Sequence, residues 1–446
     1  MKVAKFGGSS VASADQIKKV ASIIKADSDR KFIVVSAPGK RFANDKKLTD
    51  ILIGLAGSTT GSQIFEDHVQ TIAQRLSGII SSLDLSDALL EELLQHLSTI
   101  TEMQSNTRND CLKAFGEDSS AKIISQYLQS IGLDAHYLNP RDAGIIVSDE
   151  PGNAQILPES FPKLYNLRNH KGIYVIPGFF GYTAEGKLTT FSRGGSDITG
   201  SIVAAGIQAS LYENFTDVNS VYTVNPNIVK DPLEIDQLTY REMRELSYAG
   251  FSVFHDEALM PAFNKKIPVA IKNTNNPDQR GTMIVSEKST KQNGVVGIAS
   301  DTGFISIYVS KYLMNRQLGF GRKLLEIMEK ENISFEHIPS GIDDLTVIIR
   351  AHQLTDNKEQ RILEQIKEEL QPDTIKVQRN LAVIMVVGEG MMNTIGIAQK
   401  ATSALVEANV NIVMINQGSS EVSMMFGVED KDMTKSIKSL YQKFFA

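Results

Sequence analysis

The sequence predicts a doubly wound α/β domain with a mainly parallel sheet, followed by two smaller α+β modules related to one another. Three observations predict this. Short apolar strands alternate with helical segments over about the first 285 residues. A polar stretch, "EKSTKQNG" (287–294), then reads as a linker. Beyond it, segments starting at Gly319 and Gly396 align without gaps at an offset of 77 residues.

"KVAKF" reads as a short strand and "SADQIKKVASIIK" as a helix, with Ile17, Val20, Ile23 and Ile24 on one face and Ser13 as its N-cap. "KFIVVSA" is a continuous apolar run ending in small residues, as a buried parallel strand is, and "GIYVIPGFFG" (172–181) repeats that style. Residues 62–135 read as mostly helical, "SDITGSIVAAGI" (196–207) as a helix, and "ASLYENFTDV" as a strand with its exit loop. In the repeat, Gly319 matches Gly396, Asn332 matches Asn409, Ile338 matches Ile415 and Gly341 matches Gly418. Each copy reads as a helix, a strand, a glycine turn and a second strand. Each follows a further strand, "FISIYV" or "LAVIMVV", which gives two tandem β-α-β-β units of about 70 residues.

A chain of 446 residues exceeds one ordinary core, so two or three domains are expected. Its 42% hydrophobic and 22% charged residues are those of a soluble globular protein. A net charge of −6 argues against a nucleic-acid partner. Cys111 is the single cysteine, which excludes an intrachain disulfide and suits a reducing cytosol. The start "MKVAKFGGSS" is no signal peptide, and no apolar run reaches the roughly 20 residues of a membrane helix, so a cytoplasmic protein without a membrane partner is expected. The seven histidines show no metal-ligand spacing.

Two glycine clusters carry the chemistry. Lys5 precedes "GGSS", and neither G-x-x-x-x-G-K-[ST] nor G-x-G-x-x-G is present. A phosphate cradle, a tight turn and a disordered end all remain open for this stretch. The second cluster, "FSRGGSDITG" (191–200), joins a strand to a helix. Glycines there let backbone N–H groups approach an anion, and Arg193 adds a fork suited to a carboxylate. Either cluster alone is most often only a turn. Together in one α/β domain they favour a site for two anionic ligands.

With "VVSAPG" (34–39) and "TDVNSVYTVNP" (216–226), "KFGGSS" and "FSRGGSD" form an ordered set that resembles the aspartate kinases of the amino-acid-kinase superfamily. The resemblance spans essentially the whole chain, and the paired C-terminal units look like ACT modules. It implies an amino-acid-kinase domain over 1–286 and ACT domains over 294–375 and 376–446. It also implies transfer of a phosphoryl group from ATP, with Mg²⁺ held by the phosphates, to the side-chain carboxylate of L-aspartate. Lys5 then sits on the transferred group, with Gly7, Gly8 and Ser9 as backbone donors. Arg193 takes the substrate α-carboxylate and Glu117 its α-ammonium. Ser36 and Thr49 make polar contacts near phosphate and substrate, Phe179 and Thr190 line the amino-acid pocket, and Ser196 and Asp197 close the glycine turn. Thr216, Asp217 and Tyr222 match the nucleotide stretch.

The chain departs from the family on the nucleotide side. Asn225 stands where an aspartate is usual, Asn227 where an arginine is usual, and Ser252 where a lysine is usual; Lys230 offers a substitute cation. In the first ACT-like module the resemblance marks Met314, Phe320, Gly321, Ser334, Glu336 and Ser340 as effector contacts, with lysine, threonine or both as effector. A dimer through the regulatory halves is implied. No dehydrogenase segment follows residue 446, so the monofunctional type is expected. Two alternatives stand beside this reading: a related kinase acting on glutamate, carbamate or a nucleoside monophosphate, and a catalytically weak amino-acid sensor.

Overall fold

The computed structural model describes residues 1–104, 107–192, 194–251, 258–288, 294–420 and 422–446. Arg193 and Ser252 lie outside them, as does part of the expected linker. The chain divides into two compact units. One comprises Met1–Val221, Glu234–Arg244 and Ser252–Ser289, the other Tyr222–Leu233, Glu245–Phe251 and Thr290–Ala446. The first unit is therefore not the unbroken segment 1–286 that the sequence suggests, because two short stretches belong to the second.

The first unit is built on an eight-stranded sheet. Its strands are β1 (Lys2–Phe6), β2 (Arg30–Val35), β3 (Ala135–Tyr137), β4 (Ile173–Pro177), β7 (Leu211–Thr216), β8 (Gln237–Thr239), β9 (Val269–Asn273) and β10 (Thr282–Val285), in the order β3-β4-β2-β1-β7-β9-β10-β8. Every pair from β3 to β9 is parallel, and β10 runs antiparallel to β9. A small hairpin, β5 (Phe180–Tyr182) and β6 (Leu188–Thr190), forms its own two-stranded sheet. Parallel pairing requires crossovers, and helices supply them.

Helix α1 (Ala14–Lys25) starts where the sequence predicts it, with the Ser13 hydroxyl accepting from the Gln16 amide at 3.4 Å. Its Ile17, Val20, Ile23 and Ile24 are buried in one core with residues of α2 (Leu48–Gly57), α3 (Gln63–Ser82), α4 (Asp87–Thr101) and α5 (Arg108–Ser130). The stretch expected to be helical is thus three long helices. Helix α5 is unusual in burying Asp110, Glu117, Asp118, Ser119 and Ser120 as well as its apolar residues. Burying carboxyl groups is costly unless they are paired, so this helix is shaped by more than packing.

The second unit carries an antiparallel sheet of β11 (Gly297–Ser310), β12 (Asp344–Arg350), β13 (Thr374–Val387), β14 (Met414–Asn416) and β15 (Ser423–Glu429), ordered β12-β11-β13-β15-β14. The aligned repeat residues share backbone conformation: φ is 78° at Gly319 and 89° at Gly396, and 52° at Asn332 and 51° at Asn409. Glycine and asparagine are the residues that tolerate this left-handed region. One predicted strand is missing. After Asn332 the first module makes only isolated bridges, His337 to Ile348 and Ser340 to Leu345, whereas the second module forms β14.

The boundary between the modules also differs from the expected cut at 375/376. β11 and β13 are each 14 residues long and run through both cores. Ile305, Ile307 and Val309 pack with the helices Phe320–Lys330 and Asp356–Leu370. Ile298, near the start of the same β11, packs instead with Ile384, Val386 and the helices Ile397–Glu407 and Met433–Phe445. The second module therefore draws a strand from ahead of the first. No helix among the described residues is long and apolar enough to cross a membrane.

Candidate active site

The carboxyl ends of β2, β1 and β7 lie side by side, and the glycine turn after β1 is bonded to both neighbours. The Ser36 amide donates to Phe6 O at 3.1 Å and the Gly7 amide to Phe215 O at 3.0 Å. The Gly39 amide donates to Gly8 O at 2.8 Å, so the Ser36–Leu48 loop lies on the Gly8–Val11 turn. The two backbones approach so closely that a Cβ on Gly39 would sit 2.5 Å from the Gly8 carbonyl carbon, and one on Gly8 would sit 3.0 Å from Ala37 O. Side chains are thus excluded from the turn, as in backbone cradles for phosphate, and a disordered end is ruled out.

Lys5 projects from β1 and is buried, with Nζ 2.6 Å from Asp197 Oδ1. Asp197 lies in the first turn of the helix Gly195–Gly206. The same Asp197 oxygen accepts from Asn214 Nδ2 at 2.5 Å, and Asn214 is the register partner of Lys5 across the β1–β7 pair. Asn214 escaped the sequence reading; its one signal is an uncharged polar residue at a buried strand position in "YENFT".

Glu117 reaches the same region from α5. Gly116 makes this possible, since a Cβ there would lie 2.6 Å from the Ala37 Cβ. Glu117 is buried, and its Oε2 has no hydrogen-bond partner. Burial pushes the carboxyl up to about 8, against the opposing effects of the Ala37 backbone, the Lys5 charge and the Ser196 hydroxyl. A buried, partly satisfied carboxyl beside a lysine is a site feature rather than a structural one. Thr190, also buried, has an unpartnered Oγ1, and its amide donates to Asp110 Oδ2 at 2.9 Å. Phe179 has φ 79°, a conformation that costs a phenylalanine energy. Its amide donates to Thr199 Oγ1 at 2.9 Å and its carbonyl accepts from the Phe191 amide at 2.8 Å. Those two bonds hold it there.

Ser9 lies in the Gly8–Val11 turn, and the neighbouring Ser10 hydroxyl is 2.7 Å from Thr274 Oγ1. Thr49 is half-buried at the second position of α2. Thr216 and Asp217 end β7, with Thr216 Oγ1 donating to Asp217 Oδ1 at 3.1 Å and Asn273 Nδ2 donating to Asp217 O at 3.3 Å. Tyr222 and Lys230 belong to the second unit, and Lys230 is exposed. Arg75, unremarked in the sequence, is buried on α3. Its guanidinium donates to the carbonyls of Gly39 and Lys46 and lies 3.4 Å from Asp45, which pins the Ser36–Leu48 loop from behind.

The effector candidates fare unevenly. Met314 and Phe320 are buried members of the first module's core, so packing accounts for them. Gly321 follows Phe320 in the first turn of that helix. Glu336 is already engaged, accepting from Tyr248 OH and lying 3.4 Å from Arg350 Nε. Ser334 is exposed and is bonded to Gln353 Oε1 through its amide at 2.9 Å and its hydroxyl at 3.1 Å. Ser340 lines an open cavity of about 590 Å³ over the sheet, with Tyr308, Asp344 and Lys376.

A family model described as "Amino acid kinase family" matches residues 1–273, and one described as "ACT domain" matches 384–444. The chain is 54% identical to Aspartokinase 3 of Bacillus subtilis, over all of this chain and 99% of that one. It is 29% identical to the chloroplastic Aspartokinase 1 of Arabidopsis thaliana, over 99% of this chain and 80% of that one. Among solved structures, the aspartate kinase of Clostridium acetobutylicum superposes over all of both chains with a TM-score of 0.86 at 40% identity. The aspartokinase III of E. coli in complex with aspartate and ADP shares the fold, with a TM-score of 0.83 at 24% identity over all of both chains. The chain belongs to the amino acid kinase family and, within it, to the aspartate kinases, which phosphorylate the side-chain carboxylate of aspartate with ATP under feedback control by an end-product amino acid.

Proposed function

We propose that the pocket between the Gly7–Gly8 turn, Glu117 and Asp197 is where this transfer takes place, with the residues in the following roles. The acceptor carboxylate has an ordinary pKa of about 4, so it arrives ionised and needs no general base. Its difficulty is repulsion. Two unit charges 4 Å apart repel by about 4 kcal/mol at an effective dielectric of 20. Lys5 offsets this at the transferred phosphoryl group, held in place by Asp197 and Asn214. The amides of Gly8 and Ser9 supply further donors, whereas the Gly7 amide is bonded to Phe215 O and fixes the turn. An acceptor oxygen forms its bond to the γ-phosphorus as the bond to the bridging oxygen breaks, giving aspartyl phosphate and ADP.

Glu117 takes the α-ammonium and Arg193 the α-carboxylate, while Phe179 and Thr190 bound the side chain. Mg²⁺ is held chiefly by nucleotide phosphates. The observation that carries the assignment is the meeting of Lys5, Asp197 and Glu117, whose Oε2 has no hydrogen-bond partner, around a glycine turn.

Asn225 weighs against the sensor reading. Its Oδ1 accepts from the Asn227 amide at 2.9 Å, a turn-forming role that accounts for asparagine there. Lysine or threonine is the proposed effector, a homodimer the proposed assembly and the cytoplasm the proposed location. An ADP-release assay with aspartate, with glutamate and without acceptor tests the assignment. Turnover is expected with aspartate alone, and equal turnover with glutamate refutes it.

A further inference from the structure

A second cavity, of about 850 Å³, opens in the first unit between α4, α5, the Tyr137–Asp142 segment and the β5–β6 hairpin. Its lining includes none of Lys5, Glu117 or Ser196. It has a charged floor. Asp118 is buried on α5 and accepts from Tyr137 OH, which in turn accepts from Asn139 Nδ2 at 3.0 Å. Lys122 Nζ is 3.4 Å and His96 Nδ1 3.7 Å from Asp118 Oδ2, and that buried imidazole nitrogen has no hydrogen-bond partner. Across the cavity, the Arg141 guanidinium lies 4.4 Å over the Tyr182 ring and donates to Gly186 O at 2.8 Å. Its described contacts are thus a ring and a carbonyl rather than a carboxylate. The rest of the lining is mixed: Ile100, Phe115, Phe180 and Leu188 give it an apolar part, and Asp142, Glu185 and Lys187 line it as well.

We propose that this cavity is a second amino-acid site, taking an α-amino acid with an aromatic or branched apolar side chain, and that its occupancy alters the aspartate pocket. A guanidinium stacked on a ring presents its fork to a carboxylate. Asp118 already has Lys122 and Tyr137 as partners, so the acceptor left over for an ammonium at this end is the unpartnered His96 Nδ1 beside that carboxylate. The cavity's volume is in the range of ligand pockets, and the apolar part of its lining suits an apolar side chain. A plain carboxylate leaves the Asp118 end unanswered, and a plain amine leaves Arg141 unanswered.

The coupling follows from shared elements. α5 carries Asp118 into this cavity and also Asp110, which bonds the Thr190 amide. Phe180 lines the cavity and is the register partner of Thr190 in the hairpin. A ligand against Phe180 therefore bears on Thr190 through one rung of two-stranded sheet. This coupling rests on reading Phe179 and Thr190 as the aspartate pocket wall, whereas the binding itself does not.

Titration calorimetry on the full chain with L-phenylalanine, L-leucine, 3-phenylpropionate and phenethylamine tests both parts. Saturable binding of L-phenylalanine or L-leucine is expected. It should be at least about tenfold weaker for the compounds lacking either charge and in Arg141→Ala, where one charged contact is lost. It should be absent in Thr99→Trp, which fills the cavity from an exposed position of α4. The bound amino acid is also expected to change the KM for aspartate. Failure of both amino acids to bind, or binding unaffected by Arg141→Ala and Thr99→Trp, overturns the site. Binding with an unchanged KM overturns the coupling alone.

Discussion

Lys5 Nζ and Asp197 Oδ1 meet at 2.6 Å, one from the first strand of the chain and the other from the helix that follows the second glycine cluster. The pair is nearly enclosed, with side-chain exposures of 8% and 17%, so water does little to screen it. Asp197 keeps a second partner in Asn214, which means that removing the lysine does not leave the carboxylate bare. Lys5→Ala is therefore expected to fold and to lose about 10²–10³-fold in kcat, the usual loss when one donor to a developing charge is removed. Lys5→Arg should recover little, because a planar fork cannot replace a compact ammonium held between a strand and Asp197. ADP release beside a melting curve checks both. A folded Lys5→Ala protein with full turnover contradicts the role.

Glu117 gives a prediction about protons. Its carboxyl titrates near 8, so in the free protein at neutral pH it is mostly protonated. If it receives the substrate ammonium it must ionise, and aspartate binding then releases a proton. Calorimetry in two buffers of different ionisation enthalpy should show close to one proton released per aspartate at pH 7 in the wild type and none in Glu117→Gln. The same group bears on stability. Its folded pKa is raised above the ordinary 4.5, so its stabilising contribution is full below about 4.5 and is lost as pH rises through about 8. Glu117→Gln should therefore gain stability relative to wild type between pH 5 and pH 9, by a few kcal/mol at most. An identical pH–stability profile in the two proteins counts against the buried carboxyl.

The Gly8–Gly39 contact can be tested by adding one methyl group. Gly39→Ala places a Cβ 2.5 Å from the Gly8 carbonyl carbon and 2.7 Å from the Ser9 amide nitrogen, both of them backbone. Backbone cannot rotate aside, so the glycine turn must shift. A loss of about 1–3 kcal/mol and a raised KM for ATP are expected, with a smaller effect on the KM for aspartate. Gly57→Ala is the control. That residue ends α2 with nothing within 4 Å of an added Cβ, and alanine there should be neutral or stabilising.

What the sequence discloses about this fold is what is encoded locally. The strand "KVAKF", the Ser13-capped helix and the glycine turns follow from propensities and caps within a few residues, and they occur where expected. Glu117 was reached only by resemblance. Its raised pKa depends on Gly116 letting α5 settle on Ala37, a contact between segments distant in the chain. Asn214 becomes visible only once β1 and β7 are in register. Arg75 acts through the carbonyls of Gly39 and Lys46, and carbonyls have no signature in sequence. Met314 and Phe320 show the converse ambiguity, since apolar residues beside a turn serve a core as readily as a ligand, and both are buried in the first module's core.

The shared strands of the second unit give a last prediction. A cut at residue 376, where the resemblance implies one, leaves the second module without the start of β11. Gly297 to Asp301 pair with Val387 to Val383, and Ile298 is fully buried against Ile384, Val386 and the two helices of that module. Without it, the inner half of β13 becomes an open apolar edge, which costs ladder hydrogen bonds and exposes aggregation-prone surface. The fragment 376–446 is therefore expected to lack a cooperative melting transition, whereas 294–446, which restores the strand, should show one. Circular dichroism melts of the two fragments decide the point. A cooperative transition in the shorter fragment would mean that Ile298 and its strand are dispensable, and that the modules are independent after all.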